Sequence, residues 1–303
     1  MDAEPWSGAV TRPARLAVGV VSAGRVGAVL GAALARAGHT VVAASGVSRE
    51  SVRRAENLLP DVPLLPPDEV ASIADLVLLA IPDDALAGTI RGLVATDSLR
   101  AGQIVVHTSG AHGVDVLAPA MAIGALGLAI HPVMTFTGRV EDLQRIDTCC
   151  FGITAEAGDE AAWNVAEALV VEMGAEPVRV PAQARSLYHA ALAHGSNHLV
   201  TLVADCADLL SAAGIAPTSR LLEPLLSAAL DNVLRHGDRA LTGPVARGDV
   251  QTVRAHLEVL AGTDALPAYV ALARRTADRA VAAGLLSVSS AAEVLAVLDE
   301  EQG

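Results

Sequence analysis

Leu16-Ala-Val-Gly-Val-Val-Ser22-Ala-Gly24-Arg25-Val26-Gly27 is the stretch that decides how this chain reads. An apolar run of strand type enters a tight turn and opens an Ala/Gly/Leu-rich segment, Arg25–Ala37, that reads as a helix stopped by Gly38. In that context a glycine-rich turn carries chemistry: Gly24 lets the backbone approach a pyrophosphate, and Gly27 lets helix and strand pack closely. The free amides and dipole of the helix N-terminus then face the phosphates. Ser22 stands where the G-x-G-x-x-G pattern has its first glycine, which makes the turn less permissive but supplies a hydroxyl. Ser22, Gly24, Arg25, Val26 and Gly27 are therefore candidate cofactor residues.

Working outward, short apolar runs alternate with longer mixed segments. Strands are predicted at Leu16–Val21, Thr40–Ala44, Leu76–Ile81, Ile104–His107 and Leu126–Ile130, with a helix opening at Asp83 or Asp84 as its cap. Continuous apolar strands separated by helices imply a parallel, doubly wound sheet buried on both faces. Two further strands, Cys149–Thr154 and Pro177–Val180, flank a helix near Asp159–Met173 and extend the same sheet. After Pro181 only helices are expected: Gln183–Ala213, Thr218–Arg235 (kinked or restarted at Pro224), Asp249–Leu260, Leu266–Ala283 and Ser289–Leu298. The predicted organisation is a flexible tail over residues 1–13, an α/β Rossmann-type domain over 14–181, and an all-helical domain over 182–303.

The end of the second strand points to the form of the cofactor. NAD enzymes place an acid there, about 20 residues beyond the glycines, against the ribose. This chain instead has Ser45-Gly-Val-Ser48-Arg49, with no acid before Glu50. Ser45 and Ser48 can donate to a 2′-phosphate and Arg49 can pair with it, so NADP(H) is expected. The third strand ends in Ile81-Pro82, which shapes the loop near the nicotinamide.

Other polar residues gather at strand ends, where open parallel sheets bind ligands. Ser109 follows His107, which reads as a core residue, and His131 follows an apolar strand and needs a polar partner or a ligand. On the long helix, His189 shares a face with Ser196 and Asn197. His189, Asn197, Ser109 and His131 are the catalytic candidates. Ser196, Arg247 and Arg185 are the candidates for a small carboxylate substrate, since a carboxylate site here needs Arg or a helix N-terminus.

Composition excludes whole classes. The chain has 303 residues, a net charge of −13 and no Lys, all 21 basic residues being Arg. Schiff-base chemistry and a P-loop lysine are thereby ruled out. The acidic balance argues against nucleic acid and anionic membranes as partners. Cys149, Cys150 and Cys206 have neither metal-ligand nor disulfide-framework spacing. The acidic N-terminus has no signal-peptide order, and the longest uncharged apolar run, Val116–Ile130, is too short to span a bilayer. A cytoplasmic protein is expected.

The order of motifs resembles a Rossmann-like family whose C-terminal half is a domain of unknown function, number 2520. The resemblance rests on Gly19–Gly27, Ala74–Asp84, His131-Pro-Val-Met-Thr-Phe136, Tyr188-His-Ala-Ala191 with Ser196-Asn197, and Leu241-Thr-Gly-Pro-Val-Ala-Arg-Gly-Asp249. It is similar in architecture to pyrroline-5-carboxylate reductases, ketopantoate reductases and β-hydroxyacid dehydrogenases, which implies a homodimer through the helical domain. It also implies an NADPH-dependent oxo-acid reductase, with ketopantoate of pantothenate synthesis as the first substrate. The well-known ketopantoate and β-hydroxyacid enzymes use a Lys on the first long helix as acid. Here His189, Tyr188 or a water held by Ser109 and Asn197 must replace it. An imine reductase is the alternative, with an iminium that arrives already protonated. A protein that binds NADPH without turnover, as sensor or scaffold, is a third reading. A deazaflavin is also compatible with these residues.

Overall fold

The computed structural model describes residues 15–300, so the tail expected over 1–13 lies outside the described residues. The chain runs β1 (Ala17–Val21), α1 (Arg25–Arg36), β2 (Thr40–Ala44), α2 (Arg49–Leu58), α3 (Pro67–Ile73), β3 (Leu76–Leu79), α4 (Asp83–Ala95) and β4 (Ile104–His107). It continues through α5 (Ala118–Ala122), β5 (Leu126–Pro132), α6 (Asp142–Ile146), β6 (Cys150–Thr154), α7 (Glu160–Glu172) and β7 (Glu176–Arg179). Only helices follow: α8 (Arg185–Ala212), α9 (Ser219–His236), α10 (Gly243–Arg247), α11 (Val250–Leu260), α12 (Leu266–Ala282) and α13 (Val288–Glu300), with short 3-10 turns between some of them.

The seven strands form one sheet in the order β2-β1-β3-β4-β5-β6-β7. Alternation along the strands explains the double winding. Val20, Leu78, Val106 and Leu128 enter one core with α1 and α7, while Val21, Leu79 and Val105 enter the other with α3 and α4. Strand order reverses between β1 and β3, which opens a crevice beyond their carboxyl ends.

The structure corrects the sequence reading at several points. Strand β6 runs antiparallel to β5, and β7 is parallel to β6, so the sheet is mixed and not wholly parallel. A parallel return needs a crossover that spans the strand. The connection from β5 holds only α6, a five-residue helix about 7.5 Å long, and the chain turns back on itself instead. Strand β3 stops at Leu79, because the chain bends away at Ile81-Pro82. Pro82 is the N-cap of α4; Asp83 and Asp84 lie in the first turn without capping, where their charge still favours the helix dipole. Helix α9 continues through Pro224 as one element, since a proline in the second turn removes a single intrahelical bond.

Two compact units meet at residues 194 and 195, inside α8. The first turns of α8 belong to the sheet unit because Arg185 is buried there. In the helical unit, Val253 and Leu257 of α11, Val270, Ala273 and Ala277 of α12, and Val294 and Leu298 of α13 recur every three or four residues and build one core. Among the described residues, no helix is long and apolar enough to cross a membrane.

Candidate functional site

The turn after β1 is shaped for an anion. Gly24 is the N-cap of α1 with no side-chain cap, and no acid lies in the first helical turn, so the first amides of α1 are open to a ligand. A Cβ on Gly27 would overlap the carbonyl oxygen of Ser22 and come within 2.9 Å of the Ala80 Cβ, so helix and turn can only close around glycine here. Ser22 itself sits at φ 76°, the left-handed region for which the usual first glycine is suited. Its amide donates to the Ser45 hydroxyl at 2.8 Å, and Ser45 is buried. The hydroxyl expected to meet a phosphate thus also ties the turn to the end of β2.

Ser22, Gly24, Ser45, Gly46, Ser48 and Arg54 line one wall of a cleft of about 390 Å³, and Ile81 and Pro82 line the other. This volume suits part of a dinucleotide. Ser48 also caps α2, accepting from the Ser51 amide at 3.1 Å. Arg49 does not line the cleft; it starts α2 and is exposed. The guanidinium inside is that of Arg54, one helical repeat beyond Ser51, which the sequence reading missed. A Cβ on Gly138 would lie 2.8 Å from Arg54 Nε and 3.0 Å from Arg25 Cγ, so both arginines converge on that glycine. Among the described residues neither pairs with a carboxylate, and two unpaired guanidinium groups beside a helix N-terminus suit phosphates. Val26, by contrast, packs its side chain against the core.

At the ends of β4 and β5 the polar residues divide into staples and reactive groups. His107 is fully buried: Nε2 meets the Gly113 carbonyl at 2.9 Å and Nδ1 accepts the Ser109 amide at 3.2 Å. Burial pulls its pKa from 6.5 to about 4, so it is a neutral structural histidine. Ser109 is buried, and its oxygen accepts from the amides of Ala111 (3.2 Å) and His112 (3.1 Å), holding the loop.

Arg185 does not stand ready for a carboxylate. It is 1% exposed and donates to the carbonyls of His112 (2.9 Å), Gly152 (3.1 Å) and Ser109 (2.6 Å), and to the Thr154 hydroxyl (3.3 Å). Its fork is consumed in fastening α8 to β4, β6 and their loops, which corrects its reading as a substrate ligand.

His131 has one ring nitrogen, Nδ1, at 2.8 Å from the Tyr188 hydroxyl. A Cβ on Gly110 would come within 2.9 Å of His131 Nε2 and 2.6 Å of His189 Cδ2, so the two imidazoles meet over that glycine. Their ring centroids are 6.2 Å apart and nearly perpendicular. Burial first, then the nearby Arg185 and His189, pull the His131 pKa to about 4, while burial pushes Tyr188 up. Gly152 makes room for this pair, because a Cβ there would overlap the Tyr188 hydroxyl.

The structure therefore brings His131, His189 and Ser109 together with Tyr188. Ser196 and Asn197 are exposed, two turns along α8 in the helical unit. Arg247 is exposed in the last turn of α10, and Asp249 after it caps α11 through the Thr252 amide at 3.1 Å. Among the described residues, no three His, Cys, Asp or Glu side chains converge as metal ligands.

Fold, turn and cleft together define a Rossmann-type domain whose cleft, with the open start of α1 and Arg54, is suited to a phosphate-bearing ligand. Residues 1–132 match the model of the Rossmann-like domain, and residues 149–276 match that of the domain of unknown function DUF2520. A provisionally assigned NADP oxidoreductase from Bacteroides fragilis shares the fold at a TM-score of 0.72 and 23% identity, over 86% of this chain and 98% of its own. A Plasmodium falciparum pyrroline carboxylate reductase with NADP bound is similar at 0.56 and 10% identity, over 93% and 98%. A Streptomyces aurantiacus imine reductase is similar at 0.56 and 16%, over 94% and 93%. No curated protein matches the sequence.

Proposed function

We propose that this protein is an NADPH-dependent reductase whose substrate is a small, neutral imine. The observation that carries the choice is Arg185. An oxo-acid such as ketopantoate brings a carboxylate, and the guanidinium at the strand ends is already spent on three backbone carbonyls and a hydroxyl. A neutral C=N bond asks for no such partner, and an imine reductase shares this fold over more than nine-tenths of the chain. Arg247 remains the candidate ligand should the substrate be acidic.

The cofactor fits the residues present: the uncapped start of α1 receives the pyrophosphate, and Ser48 with Arg54 receives the 2′-phosphate. When bound, NADPH supplies the hydride. Gly110 keeps the loop after β4 close to His131 and His189, whose nitrogens are the polar groups available to the reacting bond. The test is loss of reduced-nicotinamide absorbance with a neutral cyclic imine, pyrroline-5-carboxylate and ketopantoate, each with NADPH and NADH. NADPH-selective turnover of the neutral imine is expected. Turnover of ketopantoate alone would return the oxo-acid reading, and tight NADPH binding with no turnover of any would favour the sensor or scaffold.

A homodimer through the helical domain belongs to the same proposal. Of α9 only Leu222 is buried, while Leu230, Val233 and Leu234, on one face, are 51%, 45% and 78% exposed, and Leu199 and Val200 of α8 are exposed as well. An apolar helix face of this extent is costly in water and suits self-association. Sedimentation should give twice the 30.8 kDa chain mass; a monomer at micromolar concentration would remove the dimer.

A further inference from the structure

We propose that His131 delivers the proton to the substrate nitrogen from Nε2 and that Tyr188 refills it through Nδ1, a two-step relay replacing the missing lysine. This rests on the reductase reading above. The geometry is specific. The Tyr188 hydroxyl is 2.8 Å from Nδ1, and among the described residues Nε2, on the Gly110 side, has no protein partner. A phenol is a better donor than a neutral imidazole N–H, so Tyr188 donates to Nδ1 and the ring carries its hydrogen on Nε2.

The site also dictates that the proton is given there and not brought in. Burial, Arg185 and His189 disfavour a positive charge on His131, and they disfavour an iminium beside it in the same way. On this proposal the imine binds neutral, in place of an iminium that arrives already protonated. Reduction of C=N to CH–NH takes one hydride, supplied by the reduced cofactor, and one proton. The Nε2–H bond breaks as the new N–H bond forms and the Tyr188 proton moves to Nδ1; the pair resets when water protonates Nε2 and the Nδ1 proton returns to the tyrosinate. The tyrosinate is met by Arg185, whose guanidinium carbon lies 5.8 Å from the ring centre. Asp83 acts on His131 with the opposite sign to Arg185 and His189, and Cys149 and Cys150 push Tyr188 in the same direction as burial, against Arg185.

Tyr188→Phe tests the relay while keeping the ring packed. Its turnover of the imine should fall at least about tenfold, with KM and NADPH affinity little changed. The proton inventory of kcat should pass from two exchanging sites to one. Substrate-free ¹⁵N spectra of the imidazoles provide a reading independent of turnover. His131 should carry its hydrogen on Nε2, and the Nδ1 resonance should move when the Tyr188 hydroxyl is removed. An Nδ1–H tautomer in the native protein, or full turnover by Tyr188→Phe, would overturn the relay. Failure of the native enzyme on every imine overturns the reductase reading instead, and leaves the spectra to decide the pair.

Discussion

Arg185→Met should lower the melting temperature by about 10 °C or more. Methionine fills the volume but leaves the carbonyls of Ser109 and Gly152 buried, and that of His112 part-buried, without the donors they now have. An unsatisfied buried acceptor costs about 1–3 kcal/mol, so two of them with a part-buried third put the loss at roughly 4 kcal/mol. For a domain of this size each kcal/mol moves the midpoint by about 2–4 °C. Arg185→Lys should rescue only part of this, because a single ammonium cannot reach carbonyls on β6 and on the loop after β4 together. Thermal denaturation followed by circular dichroism reads the effect. A midpoint within 2 °C of the native protein, at about the precision of the measurement, would show that the guanidinium is not the fastener of α8.

Arg54→Ala should weaken NADPH about tenfold to a hundredfold and leave NADH nearly unchanged. Hydrogen bonds to a charged group contribute about 1.5–3 kcal/mol, and each 1.4 kcal/mol is a factor of ten in affinity. Arg54 lines the cleft, and its charge is not cancelled by a carboxylate among the described residues. Arg49→Ala is the matched control: it is an exposed guanidinium at the start of α2, nearer β2, that does not line the cleft. Fluorescence titration with both cofactors separates the two. Equal losses with NADPH and NADH from Arg54→Ala would move this side chain to the pyrophosphate, and a loss confined to Arg49→Ala would restore the sequence assignment.

The contrast between these arginines shows where sequence reading stops. The β1–turn–α1 segment, the helix-only second half and the cleft residues Ser22, Gly24, Ser45 and Ser48 were legible because each depends on neighbours within a few positions. Apolar runs make strands, glycines make close turns, and a serine before a polar helix makes a cap. Nearness along the chain to Ser48 points to Arg49, and nothing local points to Arg54. Which face of α2 looks into the cleft is set by how α2 packs on α1, and no local pattern records that.

The same limit applies to the reactive end of the sheet. His131 and His189 were identifiable as polar residues beside apolar segments. Their chemistry depends on partners far along the chain: Tyr188 lies 57 residues from His131, and Arg185 lies 76 residues from the Ser109 carbonyl it holds. Gly152 has no local reason to be glycine within a strand; its reason is the tyrosine that the returning α8 lays across it. The reversal of β6 is likewise a tertiary decision, since a short apolar run reads the same in either direction. By itself, then, the sequence determined the strand-and-helix grammar and the phosphate-binding turn, because these follow from local sterics and periodic burial. Only the tertiary structure decided which arginine lines the cleft, which is buried as a fastener, and which histidine lies within hydrogen-bond distance of a tyrosine, because hydrogen-bond partners are chosen by proximity in space.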